Sequence, residues 1–165
     1  MNDAIYILGL FENQGNPLWK FLKEEIQKSI KINIQAFELY GSVDEFASYS
    51  FEDEVKRLNN VLQSINPSIA IGHSLGAYVL AQIPINCPLV LLEPSLSIKD
   101  MVGPNIKKDD GITTYNDGHY KFTISEEFLL SLEKTPAIEE IPFYIKTKDI
   151  SIFGAEHGGH KIAEM

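Results

Sequence analysis

Residues 68–82 read Ser68-Ile69-Ala70-Ile71-Gly72-His73-Ser74-Leu75-Gly76-Ala77-Tyr78-Val79-Leu80-Ala81-Gln82, and their order decides the fold. A short β-type run, Ser68 to Gly72, enters a turn, and a run of helix formers, Ala77 to Gln82, leaves it. Between them Gly72-His73-Ser74-Leu75-Gly76 has the spacing G-x-S-x-G. A serine on a tight strand-to-helix turn takes a backbone conformation costly for any residue but glycine. Strand and helix then run so close that only glycine is comfortable two residues to each side, at Gly72 and Gly76. The turn lifts the serine Oγ clear of the backbone, beside the free N–H groups of the helix N-terminus.

Outward from this segment, short apolar runs alternate with helix-period stretches. Ala4 to Leu10 is too short for a helix and reads as a strand. Asn16-Pro17 offers an N-cap followed by proline at the first helical position. Beyond it Leu18, Trp19, Leu22, Ile26 and Ile30 share a face at helical spacing, and the aromatics Trp19 and Phe21 read as core or rim packing. Ile32 to Leu39 is a second strand, and Ser50 with Asp53 resembles a capping box. Val55, Leu58, Val61, Leu62 and Ile65 form that helix's inward stripe, and Asn66-Pro67 stops it. Pro88 to Leu92 is a fourth strand, a helix follows Ser125 with Phe128, Leu129 and Leu132 inward, and Ile150 to Phe153 is a last apolar run. Such alternation predicts an α/β fold, a mostly parallel sheet with helices on both faces. Lys99 to His119 is crowded with Gly, Pro, Asn, Asp and Lys, and reads as a loop insertion or small lid.

Length and composition bound the function. At 165 residues the chain is expected to form one domain, 1–165. Fourteen Lys+Arg against 23 Asp+Glu give a net charge of −9, which argues against nucleic-acid and anionic-membrane partners. No apolar stretch approaches the roughly 18 residues of a membrane span. Met1-Asn2-Asp3-Ala4 lacks the basic start of a signal peptide, so a cytoplasmic location is expected. Cys87 is alone, no Cys/His set has metal-ligand spacing, and no G-x-x-x-x-G-K-S/T or G-x-G-x-x-G phosphate loop occurs. Neither a metal nor a cofactor is expected.

On these residues the chain resembles the α/β-hydrolase family. Gly72 to Gly76 matches the family's nucleophile elbow, and Ile5 to Phe11 looks like the strand and turn that supply its second oxyanion donor. Leu92-Glu93-Pro94 resembles the strand after the elbow helix, and residues 120–132 resemble the helix before the acid strand. The family usually carries a His-Gly pair in the oxyanion turn; this chain has Gly9-Leu10. The resemblance implies a serine hydrolase that cleaves a small carboxylic ester, thioester or similar acyl substrate through an acyl-enzyme at Ser74. It implies an oxyanion hole from the N–H groups of Leu75 and Phe11, with Leu10 as the alternative to Phe11. It places specificity in the insertion, here about 95–124, where Met101, Tyr115 and Tyr120 are candidate pocket residues.

A serine nucleophile needs a base, and the base an orienting acid, in the family order Ser, Asp/Glu, His. His73 lies inside the elbow, reads as pointing away from Oγ, and is taken as structural; His119 reads as solvated. His157 and His160 lie in a Gly-rich segment, Gly154 to Lys161. Two assignments compete. In one, Ile150–Phe153 is the last strand, His157 the base and Asp149 or Glu139 the acid. This makes Ile141–Ile145 the preceding parallel strand, with only the four residues 146–149 between, whereas a crossover takes a dozen or more. In the other, Ile150–Phe153 is the penultimate strand, Glu156 is the acid, and the last strand with its histidine falls beyond Met165. The second fits the strand count better; Glu93 and Asp100 are further candidate acids. A sheet edge left open there invites a homodimer. Two other functions stay in view. One is a hydrolase-fold binding or regulatory module without turnover. The other is an acyltransferase, though Ala77 stands where those enzymes usually carry Glu.

Overall fold

The computed structural model describes residues 3–40, 42–48, 50–94, 99, 102–135 and 150–153. Its strands are β1 (Asp3–Ile7), β2 (Asn33–Phe37), β3 (Ile69–His73), β4 (Leu89–Leu92), β5 (Ile106–Asp109), β6 (Ile112–Asn116), β7 (Lys121–Thr123) and β8 (Ile150–Phe153). Its α-helices are α1 (Pro17–Ile30), α2 (Val43–Ser48), α3 (Phe51–Ile65), α4 (Leu75–Ala81) and α5 (Glu126–Glu133). Five strands pair in parallel in the order β2-β1-β3-β4-β8.

Both faces of this sheet are covered, which is why β1, β3 and β4 are largely continuous apolar runs. Along β1 and just past it, Ala4, Tyr6 and Leu8 point to one face, where Trp19, Leu22 and Ile26 of α1 cover them. Ile5 and Ile7 point to the other, into a core shared with Leu58 and Leu62 of α3, α4, and Phe128 and Leu132 of α5. The caps form as their sequence predicts. Asn16 Oδ1 accepts from the N–H groups of Leu18 and Trp19, and Ser50 Oγ accepts from Asp53 N–H. Trp19 packs on Tyr6 with ring centroids 5.2 Å apart, whereas Phe21, two positions further round α1, is 61% exposed and not core. None of the described helices is long and apolar enough to cross a membrane.

The chain moves from β1 outward to β2, then returns to the opposite side of β1 and continues through β3, β4 and β8. The direction therefore reverses between β1 and β3. At such a switch point the connections leave to opposite sides and open a crevice at the C-terminal ends of the strands, where α/β proteins bind ligands.

Two expectations are corrected here. The stretch read as loop holds a three-stranded antiparallel sheet, β5-β6-β7. Asp110 and Gly111 both take positive φ, 46° and 81°, in the two-residue turn that joins β5 to β6. That geometry favours Asp-Gly. The strands were hidden because they are short and largely solvent-facing, with only Thr113 and Tyr115 of β6 buried. The second correction is that Lys121–Thr123 is a strand, so the helix read across 120–132 begins only at Glu126, capped by Ser125. Ile150 pairs with Leu89 and Phe153 with Leu92, so β8 lies directly beside β4. Ile141–Ile145, on which the first C-terminal assignment depends, lie outside the described residues.

Candidate active site

The elbow is built by close approach at two glycines. A Cβ on Gly72 would lie 2.6 Å from the Ala77 Cα and 2.8 Å from its N, so Gly72 lets α4 turn back over β3. Gly76 serves a different neighbour: a Cβ there would strike the carbonyls of Ile7 and Leu8, so it lets α4 cross against β1. Ser74 between them takes φ 51° and ψ −118°, a conformation that costs a non-glycine residue about 1–3 kcal/mol. Its backbone is held from two sides. The N–H donates to Leu92 O on β4 at 2.9 Å, and the carbonyl accepts the first helical bond from Tyr78 N–H at 3.2 Å. The Ser74 side chain does not cap α4.

The turn after β1 closes the crevice from the other side. Glu12 N–H donates to Gly9 O at 3.3 Å, and Phe11 takes φ 57°. Gly9 touches the elbow, since a Cβ on it would stand 3.3 Å from Ser74 Cβ. Ser74 and Leu75 at the end of β3 and Phe11 on the adjoining turn are thus brought to one place. The turn also meets the small sheet: the Phe11 ring lies 4.6 Å from that of Tyr120 and 6.0 Å, edge-on, from that of Phe122.

Glu12, which carries no signal in the motif, is the residue the sequence did not single out. Its Oε2 accepts from Gly9 N–H at 2.7 Å and lies 3.1 Å from His73 Nδ1. Both side chains are mostly enclosed, His73 13% and Glu12 22% exposed. On its other nitrogen, His73 Nε2 stands 3.9 Å from Glu93 Oε2, at the end of β4. Burial works against the charge on Glu12, but the hydrogen bonds from His73 and Gly9 outweigh it and hold the carboxyl below its usual range. The hydrogen bond to Glu12 raises the His73 imidazole above its ordinary value against burial, with the charges of Glu12 and Glu93 adding. His73 therefore has a partner of its own on the neighbouring turn.

The other predicted residues fall as follows. Glu93 faces His73 and is about half exposed. His119 sits exposed on the β6–β7 turn, where its N–H donates to Asp117 Oδ1 at 2.8 Å. Tyr115 is buried and donates to Asp117 Oδ2 at 3.0 Å; Tyr120 is 38% exposed beside Phe11. Asp100, Met101, Glu139, Asp149, Glu156, His157 and His160 lie outside the described residues.

A parallel sheet covered by helices, Ser74 on a strained strand-to-helix elbow at its switch point, and a small antiparallel insertion after β4 make up an α/β fold. The chain is correspondingly similar to a solved structure, an esterase domain from a Rhodothermus marinus protein. The two superpose with a TM-score of 0.56 over 92% of this chain and 75% of that one, at 14% sequence identity. No protein-family model matches the sequence. No curated protein matches it significantly.

Proposed function

We propose that the protein is a serine hydrolase that cleaves a small carboxylic ester, thioester or related acyl bond through an acyl-enzyme at Ser74. The observation that carries the reading is Ser74 at φ 51°, between a central strand and a helix and against the Gly9 turn. Ser74 Oγ attacks the acyl carbonyl and becomes bonded to its carbon. The N–H groups of Leu75 and Phe11 hold the oxygen as it gains negative charge. A histidine takes the serine proton and returns it to the leaving group; water, activated by the same histidine, then releases the acid.

His157 as base and Glu156 as acid are proposed for these roles from sequence. They follow by three and four positions a strand, β8, whose C-terminal end lies at the same edge of the sheet as that of β3. No cofactor enters this chemistry. The test is turnover of p-nitrophenyl acetate. Hydrolysis above buffer that disappears in Ser74→Ala supports the reading, and equal rates in the two proteins overturn it.

A further inference from the structure

The Glu12–His73 contact joins two loops that the reaction needs in register. One carboxylate oxygen, Glu12 Oε2, holds two groups at once: Gly9 N–H at 2.7 Å on the turn and His73 Nδ1 at 3.1 Å on the elbow. The Glu12 backbone N–H closes the same turn from its other side onto Gly9 O. The turn so closed contains Phe11 at φ 57°. A non-glycine residue persists there only where its surroundings over-determine it. Gly9 also provides the contact: the position of its missing Cβ is 3.1 Å from the Glu12 carboxylate and 3.3 Å from Ser74 Cβ. Carboxylate, turn and serine are thus stacked without intervening atoms.

We propose that Glu12 is a positioning residue, a latch that fixes the Gly9–Glu12 turn, and with it the Phe11 N–H, against the Ser74 elbow through His73. The role rests on the reading of Ser74 as nucleophile. Glu12 does not touch the substrate; it acts through the placement of an oxyanion donor. The geometry also sets what the latch requires. An acceptor oxygen at the position of Oε2 serves both donors, so an amide can substitute and a methyl cannot. Among the described residues the charged groups facing His73 are Glu12, from the loop after β1, and Glu93, from the end of β4. With the nearer carboxylate removed, the imidazole loses its main reason to hold a proton.

The experiment follows fluorophosphonate adduct formation by intact mass in the wild-type chain, Glu12→Ala and Glu12→Gln, with the His73 ring titrated by NMR in the wild type and Glu12→Gln. The latch predicts that Glu12→Ala reacts about tenfold or more slowly, because a displaced oxyanion donor loses most of its effect. Glu12→Gln recovers most of the rate, while its His73 titrates lower than in the wild type. A merely structural glutamate would not give that combination. Labelling of Glu12→Ala at the wild-type rate, or an unchanged His73 titration in Glu12→Gln, overturns the latch and leaves the Ser74 reading intact. A wild-type chain that never labels overturns the Ser74 reading itself and the positioning role with it, so the wild-type arm separates the two failures.

Discussion

Gly76 stands so close to Leu8 that a Cβ on it would lie 2.5 Å from the Leu8 carbonyl oxygen. The obstacle is strand backbone, which cannot rotate away as a side chain can. Gly76→Ala must therefore push α4 off β1, and it is expected to cost about 2–4 kcal/mol, in the range of severe overpacking. Gly103 has nothing within 4 Å of its Cβ position. Gly103→Ala is expected to stay within about 1 kcal/mol of wild type, on the stabilising side if unfolded-chain entropy dominates. Urea denaturation of the two variants checks the contrast.

The His73–Glu12 pair gives stability a pH dependence of definite sign. His73 titrates above its ordinary 6.5 in the folded chain, so its contribution is complete below 6.5 and is lost as pH rises through the folded value. Glu12 titrates below its ordinary 4.5, so its contribution is present above 4.5 and is lost as pH falls through the lower folded value. The pair contributes most between about pH 4.5 and 6.5. Denaturation curves at about pH 6 and pH 8 should show wild type losing more stability than His73→Gln over that interval.

Lys31 ends α1 in the left-handed conformation, φ 52° and ψ 35°, with its side chain exposed. A glycine takes that conformation without the Cβ penalty. Lys31→Gly is expected to raise stability by up to about 1 kcal/mol, read as a higher melting temperature. A lower one contradicts it.

Tyr120 is the exposed ring that packs on Phe11, the turn residue proposed to hold the oxyanion. Under the hydrolase reading it borders the acyl group. Tyr120→Ala is expected to change the ratio of p-nitrophenyl butyrate to acetate turnover by about tenfold, the worth of one or two methylenes of pocket contact. An unchanged ratio would remove Tyr120 from the pocket.

The elements legible in the sequence are those fixed by local constraints or by burial on both faces. β1, β3 and β4 show as apolar runs because helices cover the sheet on each side, and α1 and α3 announce themselves through Asn16 and Ser50. The elbow is legible because its glycines sit at fixed offsets from Ser74. The reason for Gly76 was not, because the group it avoids belongs to β1, far away in sequence. Glu12 was hidden for the same cause: it lies 61 positions from His73, and only the pairing of β1 with β3 brings them together. The small sheet escaped because its strands face solvent and carry little apolar alternation, although Asp110-Gly111 marks its first turn.

The central claim is that Ser74 is an activated nucleophile. Intact-mass analysis of the purified 165-residue chain after exposure to a fluorophosphonate tests it most directly. The account predicts a single covalent adduct that maps to Ser74 and is absent from Ser74→Ala. A folded wild-type chain that gains no mass, or gains the same mass in Ser74→Ala, contradicts it.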